Sequence, residues 1–201
     1  MSQEDLNILA KLSSLVPDNS SIAEIGSFLG RSTSTLFLNK KESVNLTVID
    51  KFEIEKGYSL NVPTPPNGDV ELFEIAKKVS SDTNSWQAGF KYCLGDDIYN
   101  QLSVHTVDSN NFEVDKEYSM VFIDGDHSPI QVSKDIAKFL NDSILIVGDD
   151  FNAQHIGVIQ GLLSNIKGPN GRTLLVPKNT KIWILIPNQG YWSTLLTRLT
   201  L

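Results

Sequence analysis

Four apolar runs of this 201-residue chain end on an acid or a glycine: at Glu24-Ile25-Gly26, at Asp50, at Asp124 and at Asp149-Asp150. A carboxylate ending a buried strand packs badly. It is well placed for a ligand, because open α/β sheets bind ligands beyond the carboxyl ends of their strands. Gly26-Ser27-Phe28-Leu29-Gly30-Arg31-Ser32 follows the first run. Its glycines let the backbone turn sharply and a ligand come close, and the helix after it offers unpaired N–H groups. A plain tight turn is the competing role. The stretch lacks the G-x-G-x-x-G spacing of dinucleotide sites, which counts against NAD or FAD. Asp50 comes 24 residues after Gly26, near the spacing at which an acid accepts hydrogen bonds from both ribose hydroxyls. Alone it could equally be a helix cap; with the glycine turn it favours a nucleoside.

Val121-Phe122-Ile123-Asp124-Gly125-Asp126-His127-Ser128 is the most specific stretch, followed by Gly148-Asp149-Asp150-Phe151. If their strands are neighbours, Asp124, Asp149 and Asp150 converge. Three such charges raise one another's proton affinity. A hard divalent cation relieves that, and oxygen ligands without a thiolate suit Mg²⁺, Mn²⁺ or Ca²⁺. The alternative makes Asp126 and Asp150 turn residues or N-caps. His127 is a candidate general base, metal ligand or supporting group, or else a hydrogen-bonded structural residue. His105 and His155 look less well placed. No two-His-one-carboxylate set is evident, which speaks against an iron oxygenase. Cys93 reads as a small core residue on a helix.

These residues need a scaffold of alternating elements. Ser21–Gly26, Val44–Asp50, Tyr118–Asp124 and Ser143–Gly148 read as strands. Ser32–Lys40 and Pro129–Leu140 read as helices, the latter with Ile130, Ile136, Phe139 and Leu140 near helical spacing. Alternation predicts a parallel, doubly wound α/β sheet, whose strands are continuously apolar because both faces are buried. Arg172–Pro177 and Lys181–Pro187 flank a short turn at Lys178-Asn179-Thr180 and predict an antiparallel hairpin closing the sheet. Residues 53–70, with Pro63, Pro65, Pro66 and Gly68, predict a loop over its edge that could serve as a lid. Residues 1–20 predict a helical N-terminal extension of a single domain spanning 1–201.

Length and composition agree with one soluble domain: 40% of residues are hydrophobic and 20% charged. The net charge of −7, with no basic cluster longer than Lys40-Lys41 or Lys77-Lys78, argues against a nucleic-acid partner. No apolar run reaches the roughly 20 residues of a membrane span, and the N-terminus does not resemble a signal peptide. The single cysteine excludes an internal disulfide and a cysteine-based zinc site. The cytoplasm is the expected compartment. Oligomeric state is open, and a homo-oligomer is compatible with the sequence.

SIAEIGSFLGRSTSTL, VNLTVIDKF, MVFIDGDHSPIQVSKDI and ILIVGDDF together resemble class I S-adenosylmethionine (SAM)-dependent methyltransferases. The likeness is to the subgroup with an F-I-D-G-D-H-S-Y signature, similar to macrocin-type sugar O-methyltransferases and cephalosporin-hydroxylase-like proteins. It covers roughly residues 15 to 187. It implies a single-domain, Rossmann-like, seven-stranded sheet with a reversed last strand, and SAM as cofactor. Glu24, Gly26 and Gly30 would line the methionine part of SAM, with Ser27 and Ser32 also among the cofactor-binding residues. Asp50 would hold the ribose, with Lys51 and Phe52 near the adenine. Asp108-Ser109 would flank the adenine, with Asp96-Asp97 as rival. Asp124 would border the cofactor and, with Asp149 and Asp150, ligate Mg²⁺ or a similar ion, where relatives often have Asn at the third position. Pro129 replaces the aromatic usual after His-Ser. The implied reaction is O-methylation of a small hydroxylated molecule, with Asp124 and His127 catalytic. A nucleoside-binding module without catalysis, or a hydroxylase-like metal enzyme, are the other readings.

Overall fold

The computed structural model describes residues 1–54, 70–140, 144–166 and 172–196. The proposed lid thus lies almost wholly outside the described residues. So do Ser143, the expected first residue of its strand, and the chain beyond Leu196.

Seven strands form one sheet in the order β3-β2-β1-β4-β5-β7-β6. They are β1 (Ser21–Ile25), β2 (Asn45–Asp50), β3 (Ser103–Thr106), β4 (Met120–Ile123), β5 (Leu145–Gly148), β6 (Thr173–Leu175) and β7 (Trp183–Ile186). Strands β3, β2, β1, β4 and β5 pair in parallel, and β7 runs antiparallel to both β5 and β6. The C-terminal hairpin is therefore present, with β7 inserted between β5 and β6. Strand order reverses between β1 and β4, which opens a crevice beyond their carboxyl ends.

The continuous apolar runs have the cause inferred from sequence. Strands β1, β4 and β5 are buried at every position. On one face, helices α6 (Pro129–Lys138) and α7 (Ile156–Ile166) supply Val132, Ile136, Val158 and Leu162 against Ala23, Ile25, Val121 and Ile146. On the other, α1 (Gln3–Ser14), α2 (Arg31–Asn39) and α8 (Tyr191–Leu196) bring Leu9, Leu12, Leu36 and Trp192 against Ile22, Met120 and Val147. A third cluster under α3 (Val70–Thr83) and α4 (Trp86–Leu94) holds Phe73, Trp86, Phe90 and Leu94 around Val48 and Phe52.

Helix α1, within the stretch expected to be a helical extension, packs into the core through the fully buried Leu9 and Leu12. Ser2 and Asp5 form a capping box at its start, a reciprocal arrangement that satisfies two otherwise orphaned donors. Asp5 Oδ1 also accepts from the backbone N–H of Lys181, 2.8 Å away. That bond ties the first helix to the approach of the last strand. No helix among the described residues is long and apolar enough to cross a membrane.

Candidate active site at the strand tips

The loop after β1 is built around a close approach. Gly26 has φ +81°, and a Cβ there would lie 2.4 Å from the carbonyl oxygen of Asp124. Only glycine allows the tips of β1 and β4 to come so near. Phe28, in the same loop, also has a positive φ of 48°, unfavourable for a bulky side chain. Its half-exposed ring packs edge-on against Trp86 at 4.8 Å.

Asp50 holds that loop. Its Oδ2 accepts from the N–H groups of Ser27 (2.7 Å) and Phe28 (3.0 Å), and its Oδ1 from Phe52 N–H (2.7 Å). Oδ2 is thereby filled by the loop, so with the loop in this conformation Oδ1 retains the capacity for an added donor. Glu24 lies beneath the loop, fully buried. Its Oε2 accepts from Ser27 Oγ (2.9 Å) and Thr33 Oγ1 (2.5 Å), while Oε1 is enclosed without a hydrogen bond. Burial raises this carboxyl to about 7, against the hydroxyls of Ser32, Thr33 and Ser27 that lower it.

Two clefts open over these tips and share Gly26, Phe28 and Asp124. One, of about 570 Å³, takes in Asp50, Lys51, Asp108, Ser109, His127 and Gln131. The other, of about 510 Å³, takes in Ser27, Gly30, Ser32, Phe73 and Cys93. Both fall within the roughly 300–1,000 Å³ of small-molecule sites. Glu24 and Phe52 line neither. Phe52 has φ +51°, and its ring is turned into the core against Phe90. Cys93 is half-buried, packed against the third core cluster as expected and also bordering the second cleft. Asp108-Ser109 follows β3 and borders the first cleft, where Asp108 lies 3.6 Å from Lys51. The backbone N–H of Asn110 leads in holding Asp108 below its ordinary value. Asp96 sits on a separate short helix, α5 (Asp96–Tyr99), paired with Lys91.

The tips of β4 and β5 gather the second acidic group. Asp124, Asp149 and Asp150 each place an oxygen within 4.8 Å of the others. Asp149 is 4% exposed, and its Oδ1 is enclosed with no hydrogen bond. Its Oδ2 lies 3.8 Å from the Met1 amino group. Burial, then the Asp124 carboxylate, pushes Asp149 up to about 7; burial likewise raises Asp124. Asp150 sits in the left-handed region at φ +62°, which Asp tolerates better than most residues. Trp183 on β7 donates its indole N–H to the Asp149 carbonyl at 3.0 Å. A Cβ on Gly148 would strike that indole at 2.2 Å, so a glycine is needed for this packing.

His127 Nε2 faces Asp150 Oδ2 at 3.4 Å and Asp124 Oδ1 at 4.0 Å, yet it is enclosed without a hydrogen bond. The adjoining carboxylates, Asp124 first, raise the imidazole above its ordinary value. His155 is placed otherwise than the sequence reading held. It ends a single 3-10 turn, Ala153–His155, with Nε2 3.6 Å from Asp150 Oδ2 and its ring 4.4 Å from that of His127. A two-His-one-carboxylate set therefore exists, where none was evident in sequence. His105 stays apart, on β3 beside Ser103. Trp86, Gln131 and Lys181 also border the site and carried no sequence signal beyond type.

No protein-family model matches the chain, and no curated protein matches it in sequence. Solved structures match its fold. An O-methyltransferase from Bacillus cereus, in complex with SAH, aligns at 13% identity with TM-score 0.52, over 92% of this chain and 81% of that one. CalS11, a TDP-rhamnose 3′-O-methyltransferase of calicheamicin biosynthesis, aligns at 14% with TM-score 0.54, over 90% and 76%. A SAM-dependent O-methyltransferase from Thermotoga maritima aligns at 13% with TM-score 0.52, over 95% and 68%. At such identities the likeness establishes the fold: a Rossmann-like sheet of the kind SAM-dependent O-methyltransferases have.

Proposed function

We propose that this chain is a SAM-dependent methyltransferase that methylates an oxygen of a small hydroxylated molecule, with a divalent ion held by Asp124, Asp149 and Asp150. The observation that carries the reading is the meeting of two ligand-sized clefts at Gly26 and Asp124, on the switch point, beside three gathered carboxylates of which Asp149 keeps an enclosed oxygen without a hydrogen bond. Fold likeness to O-methyltransferases supports it without deciding it, since one fold hosts many activities.

The residues fit both groups. The orphaned, enclosed Oδ1 of Asp149 among two further carboxylates suits a hard, oxygen-preferring cation such as Mg²⁺, Mn²⁺ or Ca²⁺. Gly26 lines both clefts, and its close approach to Asp124 sets the tips of β1 and β4 side by side beneath them. When bound, SAM supplies an electrophilic methyl group and the ion acidifies a chelated hydroxyl. The protein's part is placement. Asp50 holds the glycine loop and offers Oδ1 to a ribose hydroxyl. Lys51, Asp108 and Ser109 border the adenine end, and Ser27, Gly30 and Ser32 the methionine end. Glu24 and Phe52 support that loop from beneath rather than touching the cofactor. His127 Nε2, enclosed and without a hydrogen bond, takes the proton of the acceptor hydroxyl. Aligning acceptor and methyl group is itself a large part of such catalysis.

Calorimetric titration with SAM and with NAD, each with and without Mg²⁺, tests the reading. SAM binding strengthened by Mg²⁺ is expected. NAD binding, or none by SAM, overturns it.

A further inference from the structure

The acidic trio uses only part of what surrounds Asp150. Its carboxylate is divided between two sets of neighbours. Oδ1 faces Lys181 Nζ at 3.6 Å and Asn152 Nδ2 at 3.4 Å. Oδ2 faces two imidazoles, His127 Nε2 at 3.4 Å and His155 Nε2 at 3.6 Å. Donor atoms of all three residues lie within 4.8 Å of one another. Ligands bound about 2.1 Å from one ion stand roughly 3.0–3.4 Å apart, so little closure is needed. His127 Nε2 is enclosed and without a hydrogen bond. The two rings meet edge to face rather than stacked, their centroids 4.4 Å apart, and all three residues are only half-buried.

We propose that His127, Asp150 and His155 form a second metal site, selective for late first-row transition ions such as Co²⁺, Ni²⁺ or Zn²⁺ and distinct from the all-oxygen site of Asp124, Asp149 and Asp150. The donor sets differ in kind. Three carboxylates prefer a hard ion, whereas two neutral imidazoles and one carboxylate prefer a borderline one. The two sites share Asp150, so their occupancies are linked through one residue. An ion in the nitrogen-rich site takes the Nε2 lone pair of His127, which then accepts no proton from an acceptor hydroxyl. The site rests on the chain's own donors and stands whether or not the chain is a methyltransferase.

Untagged protein stripped with a chelator is titrated with Co²⁺, read by its visible absorption, and with Zn²⁺, read by calorimetry. Mg²⁺ and Ca²⁺ are followed by thermal shift. One equivalent of Co²⁺ should bind with bands of a nitrogen-containing environment. His155→Ala should weaken Co²⁺ and Zn²⁺ at least roughly tenfold and leave the Mg²⁺ shift intact. His155→Asn, closer in shape, should do the same and guards against a folding defect in the alanine variant. Asp149→Asn should instead reduce the Mg²⁺ shift and spare the Co²⁺ bands. Co²⁺ bands unchanged in folded His155 variants, or Co²⁺ binding no tighter than Mg²⁺, overturn the second site. Loss of the Mg²⁺ shift alone bears on the oxygen site and leaves this one standing.

Discussion

Asp50 and Asp149 occupy matching positions on either side of the switch point, each at the tip of a strand next to β1 or β4. Both are carboxylates that sequence singles out for the same reason, and their surroundings are opposite. Asp50 accepts three backbone N–H bonds. Asp149 has one oxygen with no hydrogen bond and two acidic neighbours. The first is largely taken up in shaping a loop; the second keeps one enclosed oxygen without a hydrogen bond, its other oxygen 3.8 Å from the Met1 amino group. An acid at a strand tip is therefore informative only once its hydrogen bonds are counted.

The comparison breaks most visibly at Asp50. Asp50→Ala strands three N–H donors, at roughly 3 kcal/mol, or on the order of 10 °C in melting temperature for a chain this size. Binding of S-adenosylhomocysteine should fall with it. A folded variant with unchanged melting and affinity would show that neither loop nor nucleoside depends on this residue.

Glu24 is the intermediate case, with one oxygen bonded and one not. Its folded value, about 7, lies above the ordinary 4.5. The stability it contributes is then full below about pH 4.5 and lost as pH rises through about 7. Glu24→Gln should flatten that part of the stability–pH curve. The difference between the two proteins should change by on the order of 2–3 kcal/mol from pH 4.5 to 8, measured by urea unfolding. Parallel curves would place the titration elsewhere.

Asp149→Asn should act in the direction opposite to Asp50→Ala. Without divalent ions, and above about pH 7 where the carboxyl is charged, it removes an enclosed charge repelled by Asp124 at the loss of its 3.8 Å contact with the Met1 amino group, and should stabilise by about 1 kcal/mol. With Mg²⁺ the gain over wild type should shrink or reverse. Thermal melts in EDTA and in Mg²⁺ measure both, and destabilisation in EDTA would mean that the carboxylate is satisfied. Trp183→Phe keeps most of the packing but loses the bond to the Asp149 carbonyl. It should cost about 1 kcal/mol and weaken the Mg²⁺ shift without touching S-adenosylhomocysteine binding. The smallest effect belongs to Asp96→Asn. That residue pairs with Lys91 away from both clefts, and the cofactor titration should not change, whereas Asp108→Asn should weaken it.

Strand tips were legible because buried parallel strands are uninterrupted apolar runs and their polar ends stand out. The hairpin was legible from its turn. What escaped was conformation at single residues. Phe52 reads as an aromatic beside the adenine, but its left-handed backbone sends the ring into the core. His155 gives no signal because a 3-10 turn, not a strand, carries it back to Asp150. Asp96-Asp97 and Asp108-Ser109 are alike as text, and only their places before and after β3 separate them. Helix α1 reads as an extension because its link to the site, Asp5 to Lys181, joins residues 176 apart in the chain.

The insertion of β7 between β5 and β6 has a consequence for the order in which the molecule can be made. The ribosome delivers Leu145–Gly148 and Thr173–Leu175 before the strand that joins them. Until Trp183–Ile186 emerges, β5 has an open apolar edge, the kind that invites pairing with another chain. The clamp on Asp149 is missing for the same interval. A chain truncated just short of Trp183 should therefore tend to associate along β5 and lack the indole bond to the Asp149 carbonyl.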